Sequence, residues 1–315
     1  MNQPVLSSLL PVVVLIAIGF IASRRGWIRT TAVKDLSNLV FLVLTPALLF
    51  RTMSKVHVQQ LDFRPVGAYF LGVIAIFVGT LLVCGFNRRA AVLALAASFG
   101  NTVMIGTPLV ALAWGEAGLV TLFTLYTVHT TVLLTTATLV LELAVMREAA
   151  AAHDAPPRHV GTTVLAALRN ALLHPVPLPI IVALLFAQTG WVVPSVIDRP
   201  LELLGNAFGP MALLLVGATV ASTPLGGHWR GALALTAVKN LLHPLLVVLA
   251  GRLLGLSGLP LIVMVVVASL PIGANVFLFS QRYQVHEDLI AASVGLSTVL
   301  SLATVSLVLA ATAGL

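Results

Sequence analysis

Ten apolar stretches run along this chain, at 5–23, 36–50, 65–84, 90–114, 118–145, 176–188, 201–222, 231–254, 260–280 and 290–311. Most approach the roughly 20 residues that a helix needs to cross a bilayer; the second and sixth are the shortest. With 59% of residues hydrophobic and 9% charged, the chain lacks the polar residues to cover a soluble surface. Lipid is therefore the solvent for most of it. The expected fold is an all-α polytopic membrane protein of ten transmembrane helices, with no soluble domain.

The first stretch has no basic residue before it and Arg24, Arg25 and Arg29 after it. It is expected to be retained rather than cleaved, with its N-terminus outside. Positive charge concentrates on the cytoplasmic side of a membrane protein, which tests that orientation. With both termini outside a plasma or inner membrane, Arg24, Arg25, Arg29, Lys34, Arg88, Arg89, Arg147, Arg158, Arg169, Arg230, Lys239 and Arg282 fall on or near the cytoplasmic side, 12 of the 17 basic residues. Arg51, Lys55, Arg64, Arg199 and Arg252 do not. The net charge of +7 thus reflects topology, and no basic stripe with interleaved aromatics points to nucleic acid. Cys84 is the one cysteine, which excludes an intrachain disulfide and a cysteine metal cluster, and no cofactor is implied.

The polar connection at 146–161 separates the stretches into five and five. It reads as a cytoplasmic linker between a first repeat at 1–145 and a second at 162–315. Because five is odd, the two copies insert with opposite orientation. The second and seventh stretches each carry an Asn ahead of a mid-helix proline, Pro46 and Pro210, read as breaks. The fourth holds "GNTVMIGTP" and the ninth "SLPIGANVFLFS", so each repeat has a Gly, Pro and Asn interruption in the same ordinal helix.

Pro108 and Pro271 each remove an amide donor and clash with the carbonyl four residues earlier, while Gly100, Gly106 and Gly273 let the chain unwind. Unwound backbone at membrane depth must be buried in protein or line a watered cavity. Such residues also serve kinks and close packing in membrane helices. Two breaks in matching positions point instead to a substrate site near the midplane. Half-helix N-termini would present amides to an anion there. Asn101 and Asn275 add amide donors, with Thr102 and Thr107 as hydroxyls, so a carboxylate could be held without a buried fixed cation.

Other polar residues fall within the apolar stretches. His129 reads as a coupling proton site or as a histidine bonded to a neighbouring helix. Lys239, beside Asn240, His243 and Pro244, reads either as snorkelling toward the cytoplasm or as positive charge for an anion vestibule. Glu142 is the one carboxylate clearly inside a stretch; Asp35, Asp62, Asp198, Glu202, Glu287 and Asp288 read as solvated caps. Residues 159–173 read equally as an amphipathic interfacial helix or as ordinary linker.

"NTVMIGTPL" (101–109), "LPIGANVFLFSQRYQVHEDL" (270–289) and "LVFLVLTPALLF" (39–50) resemble the fourth, ninth and second helices of the auxin efflux carrier family, within the superfamily that includes bile acid sodium symporters. The resemblance implies a secondary carrier of two inverted five-helix repeats, usually a homodimer. Helices one, two, six and seven would form a scaffold, and three to five with eight to ten a transport domain moving as an elevator. Asn101 and Pro108 match the family's fourth-helix crossover, and Pro271, Gly273 and Asn275 the ninth-helix crossover of bacterial members. Plant members export indole-3-acetate; bacterial members are often named as permeases for malonate or malate. This chain lacks the long cytoplasmic loop of the plant carriers.

The leading expectation is transport of a small organic carboxylate, auxin-like or of the malate and malonate type, with export as its direction. The alternatives are sodium- or proton-coupled dicarboxylate uptake and a ligand-sensing receptor. No HExxH, no GxSxG and no paired intramembrane Asp argues for an enzyme.

Overall fold

The computed structural model describes residues 3–151, 161, 165–166, 168–169, 173, 175–223 and 227–312. Among them every regular element is a helix: α1 (Gln3–Arg24), α2 (Thr30–Met53), α3 (Arg64–Cys84), α4 (Arg88–Ser98), α5 (Thr107–Ala151), α6 (Pro177–Gln188), α7 (Ser195–Ser222), α8 (Trp229–Leu253), α9 (Gly258–Ala268), α10 (Asn275–Tyr283) and α11 (Glu287–Thr312). Six segments are long and apolar enough to cross a membrane: α2, α3, α5 with the turn before it, α7, α8 and α11. Most of α1, together with α6 and α9, forms shorter apolar helices.

Local sequence explains where these helices start and stop. Pro65 sits in the first turn of α3, where its missing N–H costs nothing, and Gly85 ends that helix at φ +81°. Asn87 caps α4, its Oδ1 accepting from Ala90 N–H at 2.8 Å. The 45 residues of α5 are two helices joined at Gly115, whose φ of +58° and ψ of −144° only glycine adopts readily. The fourth and fifth apolar stretches meet at that turn. Beyond it α5 continues to Ala151, so the start of the expected linker, 146–151, is helical. Residues 152–160 lie outside the described residues, as does most of the 159–173 segment.

Three prolines are each preceded by a widened π turn: Val40–Leu44 before Pro46, Thr102–Gly106 before Pro108 and Val238–Leu242 before Pro244. A proline ring collides with the carbonyl four residues back, and widening the turn moves that carbonyl aside. In α2 the Thr45 hydroxyl also donates to Val40 O at 2.8 Å. Pro210 behaves differently. The break expected there is absent, because α7 runs as one α-helix through Pro200 and Pro210. Each removes a single N–H, and the flanking helical hydrogen bonds hold the geometry.

α1 packs along α7, which also contacts α2, and α6 lies against α2. The α1–α7 contact is backbone to backbone: a methyl at Gly217 would stand 1.9 Å from Ile16 O, and one at Gly19 2.0 Å from Leu214 O. Small residues of this kind let membrane helices approach closely. α3, α4, α5, α8, α9 and α11 pack among themselves, with α8 touching α3, α9 and α11.

Three of the acids expected as solvated caps are partly exposed and also paired with arginines: Asp62 takes a hydrogen bond from Arg64 at 2.9 Å. Arg51 in α2 donates to both oxygens of Asp198 in α7, at 2.8 and 3.1 Å, and Arg199 lies 2.6 Å from Glu202. The bidentate geometry of Arg51 on Asp198 matches the planar fork of a guanidinium to a carboxylate. Glu142 is buried and accepts from the Tyr283 hydroxyl at 2.9 Å, tying α5 to α10.

Candidate functional site

Two helices stop short and their chains cross. α4 ends at Ser98, whose hydroxyl turns back to Ala94 O at 2.7 Å, and the next residue, Phe99, is extended at φ −92° and ψ 114°. α9 ends at Ala268, and 270–274 lead into α10. Gly100 and Ile272 form an isolated antiparallel bridge. Asn101 N–H donates to Pro271 O at 2.8 Å, and Gly273 N–H donates to Phe99 O at 2.9 Å. Ile272 N–H finds the Ser297 hydroxyl of α11 at 3.1 Å. Pro271 has no N–H to satisfy, so three of the crossing's buried N–H groups, those of Asn101, Ile272 and Gly273, find partners.

Glycine is required at 273 by close approach. A methyl there would lie 2.6 Å from Phe99 Cδ1 and 3.1 Å from Gly100 O. Gly106 is not unwound: it closes the π turn and packs under Leu270. Tyr126, a residue that sequence reasoning did not single out, braces this turn from α5. Its hydroxyl donates to Thr102 O and shares a 2.9 Å hydrogen bond with the Thr107 hydroxyl. Tyr126→Phe is expected to destabilise the protein by about 1–2 kcal/mol, since Thr102 O keeps its bond from Thr107 N–H. Thermal denaturation of the detergent-purified protein measures it.

The crossing forms one side of a cavity of about 300 Å³. Of the expected residues, Asn101, Thr102, Gly273 and Asn275 line it, whereas Gly106, Pro108 and Pro271 shape the backbone without reaching it. Neither Asn side chain hydrogen bonds to any described residue. Thr102 opens the turn leading into α5 and Asn275 is the first residue of α10, so two helix N-termini meet at the cavity.

The facing wall was not foreseen. It comes from Ser37 and Phe41 of α2 and Val216, Thr219, Val220 and Thr223 of α7, with Thr130 and Thr298 at the sides. Thr219, Thr223 and Thr298 donate to carbonyls of their own helices, an ordinary habit in membrane spans that hides a lining role. Among the described residues no ionised side chain lines the cavity. Pro46 lies beyond this wall in α2, and Pro210 within α7, and neither lines it.

His129, Lys239 and His243 are fully buried and none reaches the cavity. His129 Nε2 is 3.2 Å from the Tyr69 hydroxyl of α3, the neighbouring-helix arrangement, and its ring stacks on Phe99 with centroids 5.1 Å apart. His243 packs against Tyr69 at 5.0 Å. Lys239 neither snorkels nor opens to a vestibule. Its Nζ donates to Ala268 O at 2.6 Å and Leu270 O at 2.9 Å. The carbonyls left over at the end of α9 give the ammonium partners inside the protein. A lysine is thus buried behind the crossing after all, and Lys239 leaves the count of cytoplasmic charges. Among the described residues no group of His, Cys, Asp and Glu could hold a metal ion.

Residues 4–309 match the family described as "Membrane transport protein". A "Putative malonate transporter" of Rhizobium meliloti (strain 1021) is 29% identical over 313 residues, covering 94% of this chain and 92% of that protein. An uncharacterized transporter of Methanocaldococcus jannaschii is 25% identical and covers 94% of this chain and 95% of its own. Auxin efflux carrier component 8 of Arabidopsis thaliana is 26% identical over 155 residues, 47% of this chain and 42% of the plant protein. A match spanning almost the whole of a helical chain with six segments able to cross a membrane places this protein in the membrane transport protein family that includes the auxin efflux carriers: it is a membrane transporter and not an enzyme.

Proposed function

We propose that this protein carries small organic carboxylate anions across the membrane by alternating access. The observation that carries the reading is the convergence of two unpaired Asn amides, Asn101 and Asn275, at the starts of two half-helices on one cavity. Neutral amide donors and helix N-termini suit a carboxylate. The apolar remainder of the wall, including Phe41, Val216 and Val220, suits a hydrocarbon or aromatic body.

In this reading the chain has ten spans in two inverted repeats. Helices α1, α2, α6 and α7 form the scaffold and dimer contact, while the crossed segments move with α3, α5, α8 and α11 as an elevator. Both termini lie outside the cytoplasmic or plasma membrane. A monoanion leaving a cell that is negative inside gains about 2.3 kcal/mol per 100 mV, so export needs no coupling ion.

A second reading is cation-coupled uptake of a dicarboxylate, of which the name of the Rhizobium meliloti relative supports the dicarboxylate alone. Current on a solid-supported membrane separates the two, using proteoliposomes given indole-3-acetate or malonate with and without sodium and pH gradients. Saturable current without a cation gradient is expected. Asn101→Ala and Asn275→Ala should each weaken the apparent affinity about 10- to 100-fold, the loss of a hydrogen bond to a charged group. Unchanged affinity in both variants would remove the crossing from this role.

A further inference from the structure

Lys239 is the fully buried cation of the described core, and the way it is held is specific. Its ammonium donates to two main-chain carbonyls, Ala268 O at 2.6 Å and Leu270 O at 2.9 Å, which lie where α9 gives way to the crossing. Gly100, the bridge partner of Ile272, is close on another side: a methyl there would stand 3.2 Å from Nζ. Among the described residues no ion pair involves Lys239. Other polar groups packed around this region include the hydroxyls of Tyr69, Ser269 and Ser297 and the imidazoles of His129 and His243.

Carbonyls freed at a broken membrane helix are the ligands that a small monovalent cation takes in a coupled carrier. Here a lysine side chain supplies the positive charge to two such oxygens without leaving the protein. We propose that Lys239 is a tethered cation occupying the carbonyl site beside the crossing that a coupling sodium ion would otherwise fill, so that anion binding proceeds without sodium. This rests on the anion-carrier reading only for its last clause; the occupancy of the site stands on the geometry.

The test uses the purified full-length protein, melted in sodium chloride and in choline chloride, with and without malonate or indole-3-acetate. Wild-type protein is expected to melt at the same temperature in both salts. Lys239→Ala empties the site, and its melting temperature should fall by several degrees in choline and recover in sodium or ethylammonium. Lys239→Met fills the space without charge and should stay low in every salt.

A wild-type melting temperature that rises with sodium overturns the proposal. So does a Lys239→Ala protein that matches wild type in choline, or one that is weakened yet indifferent to both added cations. If Lys239→Ala yields no folded protein in any salt, Lys239→Gln replaces it, keeping N–H donors for the carbonyls without the charge. It should fold and bind whichever anion stabilises wild type at least about tenfold more weakly, having lost a nearby charge in a poorly screened site. Undiminished binding by the Gln variant would show that hydrogen bonding is all that Lys239 supplies. If neither anion stabilises wild type, the anion reading fails on these probes, while the wild-type and Lys239→Ala salt comparisons still decide whether the site is filled from within.

Discussion

Gly217→Leu is expected to yield no folded protein on detergent extraction. The first carbon of any side chain at this position would lie 1.9 Å from Ile16 O and 2.7 Å from Phe20 N, both main-chain atoms of α1 that no rotamer change can move. α1 and α7 would have to separate along their whole shared face, and the reciprocal close contact of Gly19 with Leu214 O would be lost with it. Overpacking of side chains alone costs about 1–3 kcal/mol; a backbone collision between two principal helices should exceed about 4 kcal/mol. Size-exclusion chromatography of the extracted protein measures it. Recovery of a monodisperse peak at wild-type yield would mean that α1 and α7 do not meet at Gly217.

Gly273→Val should leave the protein foldable and abolish transport. The added group stands 2.6 Å from Cδ1 of Phe99, a buried ring stacked on His129 with little room to swing, and 3.1 Å from the main-chain Gly100 O. The strands must part, and the bonds from Asn101 N–H to Pro271 O and from Gly273 N–H to Phe99 O are then lost together. Each unpaired buried group costs about 1–3 kcal/mol, and Asn101 and Asn275 no longer face one cavity. Substrate-driven current should fall more than about 100-fold, because a displacement of this size disrupts the geometry of binding. The helices that pack away from the crossing give this variant a wild-type helical content by circular dichroism. Current at the wild-type level would show that the bridge is dispensable.

The crossing was partly legible in the sequence because Pro108, Pro271 and the neighbouring glycines together disfavour an uninterrupted helix, as one proline alone does not. That argument identifies a break but not its partner. Gly100 and Ile272 are 172 positions apart, and no local signal joins them. Pro210 looked like Pro46, yet α7 stays regular while α2 widens to a π turn, so a proline alone does not tell which adjustment the helix makes. Lys239 was misjudged because a lysine inside an apolar span is ordinarily expected to reach for water. The carbonyls of Ala268 and Leu270 that hold it belong to another helix end. The threonine wall of α7 stayed hidden for a related reason: Thr219 and Thr223 satisfy their hydroxyls within α7, and nothing in their spacing marks them as cavity residues.

The π turns bear on how these helices tolerate changes of length. Each holds one residue more than a regular helix of the same rise, so the surplus is already accommodated in α2, in α8 and ahead of α5. A relative lacking the residue that corresponds to Pro244 can drop one position between 238 and 242 and keep residues 245–253 facing the same neighbours. Its alignment with this chain then carries a single gap in mid-span. In α3, which has no such reserve, the same deletion turns every later side chain by about 100° around the axis. Gaps inside spans that align with α2 or α8 are therefore the mark of a proline gained or lost, and the same gap within α3 is the mark of a rebuilt interface.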